Sequence, residues 1–172
     1  MTTKNKLRRL LNETLLAKWY FNALTELSKY NFVYAEFINF PQLAKKALYD
    51  AWITRLIRLF EKNKRTFTFW TIWNSFPDKN PSEEKLLNEV SEKLKYIRNK
   101  TFFHIDKTKV GLSANVWKDA VIKPKDIDKA LIIAHKFIAK KYKEAPGTDC
   151  AWKPSDFNAK EEISKIKKLY DW

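Results

Sequence analysis

Cysteine occurs once, at Cys150, so no internal disulfide can form and a reducing, cytoplasmic setting is the expectation. Glycine occurs twice and proline six times, a supply of turn residues too small for a many-stranded fold. An all-α chain follows from that shortage. No hydrophobic run approaches the ~18 apolar residues that a membrane-spanning helix needs, so no membrane partner is expected. The opening M-T-T-K-N-K-L-R-R is basic, but Asn12, Glu13 and Thr14 interrupt the leucines Leu10, Leu11, Leu15 and Leu16. That is the pattern of an amphipathic helix and not of a secretion signal. The chain has no phosphate-cradling glycine loop, no Cys/His set with zinc spacing and no family-specific pair of carboxylates. Readings as a nucleotide hydrolase, a zinc hydrolase or a glycosidase lose their footing, and no cofactor or metal is expected.

What is present is apolar and basic. Hydrophobic residues make up 45% of the 172 positions, which argues against disorder and suits one domain with a real core. The seven tryptophans belong mostly to that core, because large rings supply much of a small domain's buried area. Lysine and arginine number 34 against 20 acids, a formal net charge of +14. Such an excess draws polyanions and speeds their encounter without conferring sequence specificity. Solubility, or an acidic protein partner, would use the same charge.

The periodicity divides the chain into four long helices. Residues 4–39 read as one helix, or two separated near Tyr30, with Leu7, Leu11, Leu15, Trp19, Ala23 and Leu27 at steps of four and Leu10 and Leu24 beside that stripe. Arg8, Arg9, Lys18 and Lys29 fall on its other side as a solvated face. Pro41 suits the first turn of a second helix that runs to about residue 62 and carries Ala44, Leu48, Trp52, Leu56 and Phe60. The stretch T-F-T-F-W-T-I-W-N-S-F, residues 66–76, alternates at first as a strand would, but Phe69, Trp70, Trp73 and Phe76 favour a short helix. Core packing or a dimer surface accounts for its rings better than base stacking does. After the prolines at 77 and 81, Ser82 reads as an N-cap and Glu83 and Glu84 suit the positive end of a third helix. Leu86, Leu87, Val90, Leu94 and Ile97 form its apolar face. Residues 106–123 read as a connector with a short helix near 113–121, and Pro124 opens a fourth long helix through Glu144. His135 on that helix reads as a packing or surface histidine. Residues 145–172 form a linker and a short amphipathic C-terminal helix, packed on the 1–144 domain or on a partner.

The third helix delivers the most informative stretch, Y-I-R-N-K-T-F-F-H at residues 96–104. Cleaving RNA without a metal needs a group that moves a proton near neutral pH, which histidine does, and a cation for the phosphate, which the planar fork of arginine supplies. Asn99 can donate a hydrogen bond to an oxygen or orient a neighbour. Lys93, Lys95 and Lys100 surround the motif and could hold phosphates without reading bases, or serve as ordinary surface charge. At 3.6 residues per turn, Arg98 and His104 lie about 120° apart around an ideal helix. The helix must therefore end or bend between them, or the long arginine must reach round, or a second copy of the chain must complete the site.

Arg98, Asn99 and His104 in this spacing resemble the signature of the HEPN superfamily, and the continuation H-I-D-K resembles its abortive-infection (AbiU-type) branch. The segment A-L-Y-D-A-W-I-T-R-L-I-R-L-F-E is similar to the helix before the motif helix in that branch. The resemblance implies a HEPN-like four-helix bundle with an extra short C-terminal helix. It also implies a homodimer that brings two motifs together and a metal-independent endoribonuclease acting as a toxin or phage-defence effector. In it Arg98 and His104 are the catalytic pair, Asn99 is the polar residue beside them, and Asp106 is an acidic residue that orients the histidine or is merely exposed. Lys95 and Lys100 are the expected RNA contacts. An antitoxin protein is an expected partner besides RNA. Phe103 departs from the branch, which often has a small residue there; its ring either narrows the site or packs against the other protomer. The competing expectation is a non-catalytic HEPN-like dimer that binds RNA or a protein partner, and a third is a plain helical scaffold.

Overall fold

A computed structural model describes residues 2–29, 39–63, 65–102 and 119–147. Among them there is helix and no strand, so the chain is all-α there, as its scarcity of glycine requires. We label the elements α1 (Thr3–Leu27), α2 (Asn39–Phe60), α3 (Phe69–Trp73), α4 (Pro81–Ile97) and α5 (Pro124–Glu144). A π-helical turn, Arg98–Phe102, continues α4. The proposed C-terminal helix and most of the 113–121 segment lie outside the described residues.

The four long helices pack in a ring: α1 lies on α2 and α5, and α4 lies on the same two from the other side. Short α3 plugs one end against α5 and α2. Each helix gives one stripe to the common core: Leu7, Leu10 and Leu24 from α1, Ile53, Leu56 and Phe60 from α2, Leu87, Val90 and Leu94 from α4, and Ile127, Leu131 and Ile138 from α5. Burying each such side chain stabilises the fold by about 1.5–3 kcal/mol.

The stripe of α1 corrects the sequence expectation in part: Leu7 and Ala23 are buried as expected, and Leu10 and Leu24, set beside the stripe, belong to it. Steps of four advance more than one full turn of an α-helix, so Leu7, Leu11, Leu15 and Trp19 drift around the cylinder. The buried positions alternate threes and fours instead: Leu7, Leu10, Thr14, Ala17 and Leu24. Leu11, Leu15 and Trp19 are only partly buried.

The start of α4 is a second correction. Asn80, not Ser82, is the N-cap: its Oδ1 accepts from the Ser82 backbone N–H at 3.0 Å and from the Ser82 hydroxyl at 2.7 Å. Pro81 takes the first helical position, where its missing N–H costs nothing, and this pushes the cap one residue before the proline. Glu83 and Glu84 do lie in the first turn. Pro124 opens α5 in the same way, with Asp126 in its first turn and Lys141 and Lys143 in its last.

The aromatic stretch is helix and core. Phe69, Trp70, Ile72, Trp73 and Phe76 are buried, and Trp73 and Phe76 meet Phe137 edge-on at 4.7 and 4.9 Å between ring centroids. The two ends of the ring of helices are also tied. Lys4, buried at the start of α1, donates from Nζ to the carbonyl of Gly147 at 2.6 Å, and its ammonium lies 5.2 Å from the Tyr142 ring centroid.

Candidate functional site

The C-terminal end of α2 and the C-terminal end of α4 stand side by side, and Trp70 fixes them. Its buried indole N–H donates to the Phe60 carbonyl at 2.9 Å and to the Ser91 hydroxyl at 3.1 Å. One ring from α3 thus holds the last residue of α2 against the middle of α4. Glu61 follows Phe60 directly, and its backbone N–H still bonds to the Ile57 carbonyl at 2.8 Å, which sets the direction of its side chain.

Glu61 points at the motif. The Arg98 guanidinium donates from Nη1 to Glu61 Oε1, and from Nε and Nη2 to Asn99 Oδ1 at 3.2 Å each. Every nitrogen of the fork has an acceptor, so the group is held in one orientation. It keeps 27% of its side-chain surface, enough to meet a phosphate from the solvent side. Beside it lies a cavity of about 140 Å³ walled by Glu61, Lys62, Ser91, Glu92, Lys95 and Arg98.

The lysines there are engaged. Glu92 accepts from Lys62 at 3.2 Å and lies 3.7 Å from Lys95, and the Lys62 hydrogen bond leads the effects that hold its carboxyl below the usual range. Lys62 also lies over the Trp70 ring, 4.9 Å from its centroid. Lys95, expected to contact RNA, is therefore at the rim with a carboxylate for company, exposed and able to exchange it for a phosphate. Lys93 is turned away: its Nζ donates to the Val121 carbonyl at 2.9 Å and ties α4 to the segment before α5. Lys100 sits in the π-helical turn, partly buried.

Arg98, Asn99, Lys95 and Lys100 are thus brought to one end of α4. His104 and Asp106 lie outside the described residues. Of the ways to reconcile the six-residue spacing, the described residues bear on one: the regular α-helix ends at Ile97 and a π-turn, Arg98–Phe102, follows. A π-turn closes i→i+5 bonds instead of i→i+4, is wider, and turns less per residue than an α-helix, so the residues after Arg98 leave the regular α-helical phase. Single π-turns inside helices are frequent at functional sites.

Sequence reasoning missed Glu61, Lys62 and Glu92. Glu61 lies 37 residues before Arg98, and its only local signal is a carboxylate just past the last apolar residue of α2. His135 carries no catalytic geometry. Its Nδ1 lies 2.9 Å from the Thr14 hydroxyl, which gives its own proton to the Leu11 carbonyl at 2.7 Å. Nδ1 is then the donor, and burial pulls the imidazole pKa below its ordinary value.

Among the described residues, no group of three or more His, Cys, Asp or Glu is placed to hold a metal ion, and no helix is long and apolar enough to cross a membrane. No family model matches the chain, and neither a curated protein nor a solved structure matches it.

Proposed function

We propose that the chain is a metal-independent endoribonuclease of HEPN type, a toxin or phage-defence effector that works as a homodimer of four-helix bundles. The observation that carries this reading is the Arg98 fork, held by Glu61 and Asn99 at the mouth of a lysine-rimmed cavity, on a π-turn that leads into His104. In this reaction the substrate's 2′-hydroxyl attacks its own phosphorus. The P–O5′ bond breaks, and the products are a 2′,3′-cyclic phosphate and a 5′-hydroxyl. His104 takes the 2′-proton or gives one to the departing 5′-oxygen, and Arg98 faces the charge that gathers on the phosphate. Asn99 and Glu61 orient Arg98 before the phosphate arrives. The charge of +14 favours RNA as the partner, and an antitoxin protein is the natural restraint on such an activity.

One observation favours the non-catalytic reading, a HEPN-like dimer that binds RNA or a protein: Arg98 already has a carboxylate partner. The pair is partly exposed, and exposed pairs are worth only ~0–1 kcal/mol, so a phosphate can compete for the guanidinium. The test is incubation of the purified full chain with total RNA in chelator, beside His104→Ala and Arg98→Ala. Cyclic-phosphate ends from the parent, reduced by ~10²–10⁴ in the His104→Ala variant, support the enzyme. Equal cutting by all three refutes the site. Tight binding with no cutting by the parent gives the binding reading its place.

A further inference from the structure

A second groove opens on the far side of Glu61, between the first half of α1, the end of α2 and the segment leading to α3. It measures about 340 Å³, and Glu61 lines it together with the cavity at Arg98. Its cations are Lys6, Arg9 and Arg58, all exposed. None of the three has a carboxylate partner among the described residues. The groove's two carboxylates are already taken: Glu13 accepts from Arg55 at 2.6 Å, and Glu61 from Arg98. The uncompensated charge is therefore positive. Phe67 forms one wall, packed against the core on one side and only partly buried, with the Lys6 ammonium 5.5 Å from its ring centroid. Thr66 adds an exposed hydroxyl.

We propose that this groove is the subsite for one single-stranded segment of RNA, whose phosphates lie on Lys6, Arg9 and Arg58 and one of whose bases stacks on Phe67. Cations interleaved with a ring are what a flexible strand needs: charge follows the backbone, and a π-face accepts any base. An A-form duplex keeps its bases stacked inside and cannot use Phe67. An acidic peptide would use the charges but leave the ring idle. Glu61 lines both the groove and the Arg98 cavity, so a strand bound here lies one side chain away from the motif. What happens to the strand at Arg98 rests on the ribonuclease reading; its capture in the groove does not.

The experiment is fluorescence anisotropy of short labelled oligo(U) on the full chain carrying His104→Ala, across a salt series. Adding Arg9→Gln and Arg58→Gln is expected to weaken binding about tenfold and to flatten the salt slope by ~1.4, since each lost single-strand phosphate contact contributes ~0.7. Phe67→Leu keeps an apolar side chain on the core and is expected to weaken binding about fivefold with the slope unchanged. Unlabelled oligo(U) should displace the probe far better than polyglutamate of equal charge. Unchanged affinity and slope in the double arginine variant overturns the subsite, and so does equal displacement by polyglutamate. If the parent cuts RNA while the groove variants bind normally, the subsite falls and the ribonuclease reading stands. If the parent cuts nothing while the groove variants lose binding, the ribonuclease reading falls and the subsite stands.

Discussion

Arg98 and Glu61 are partners between neighbouring helix ends: the guanidinium on the π-turn after α4 donates to a carboxylate one residue beyond α2. The pair fixes where the arginine can point. On the ribonuclease proposal, Glu61→Gln keeps an acceptor for Nη1 and is expected to retain most RNA cleavage. Glu61→Ala frees the fork to swing and is expected to lower kcat about tenfold, in line with the sensitivity of catalysis to misplaced groups. Cleavage rates of the two variants side by side check this; a loss as large in Gln as in Ala would mean that the charge, not the geometry, matters.

Trp70 joins stability to the site. Trp70→Phe removes the indole donor, leaves the Ser91 hydroxyl and the Phe60 carbonyl without it, and is expected to cost ~1–3 kcal/mol in urea unfolding. Because the same ring sets the end of α2, the ribonuclease proposal expects cleavage to fall beyond what the unfolded fraction explains. Leu131→Ala, in the core on α5 and away from the Arg98 cavity, is the control: about 2–5 kcal/mol lost, with the activity of the folded fraction largely kept.

His135 predicts a pH dependence. Its folded pKa lies below the unfolded value near 6.5, with burial as the cause. Above that value both states are neutral and the group contributes nothing. As pH falls through 6.5 toward the folded pKa, the unfolded chain binds a proton that the folded chain refuses, and stability declines. Chemical denaturation between neutral and mildly acid pH is expected to show this slope in the parent and lose part of it in His135→Gln.

Two backbone positions are strained in opposite senses. Val121 is a β-branched residue at φ 47°, exposed and directly after the helical residues 119–120, a left-handed position that glycine takes without strain, so Val121→Gly is expected to stabilise by about 1 kcal/mol. Gly147 holds φ 125°, and a Cβ there would meet Lys4 Cδ at 3.3 Å. Gly147→Ala is expected to destabilise and to loosen the Lys4 hydrogen bond; thermal melts of both variants read the signs.

The legible part of this fold was local. Pro124 and the run Ile127, Leu131, Ala134 and Ile138 mark α5 at both ends, because a proline and a repeating apolar step each act within one turn. The Asn80 cap was masked by the Ser82-Glu83-Glu84 signal, which is as good a cap on paper and loses only because Pro81 claims the first helical position. At the candidate site, the contact between Arg98 and Asn99 was legible because the two are neighbours in the chain. Glu61 and the groove at Arg9, Arg58 and Phe67 could not, since these join residues from three elements and no short window contains them.

The order in which the ring closes has a consequence for synthesis. α1 needs α5 for its second face, and the Lys4–Gly147 bond spans 143 residues. A chain leaving the ribosome can pair α1 with α2 early, but the face of α1 meant for α5 stays open until the last long helix emerges. Glu61 and Arg98 both emerge before that moment, so the two halves of the arginine site are available to each other while the body is still incomplete. During that interval the nascent chain exposes apolar surface of the kind that chaperones shield. Slow codons placed shortly before Pro124 would lengthen the exposure and lower the soluble yield.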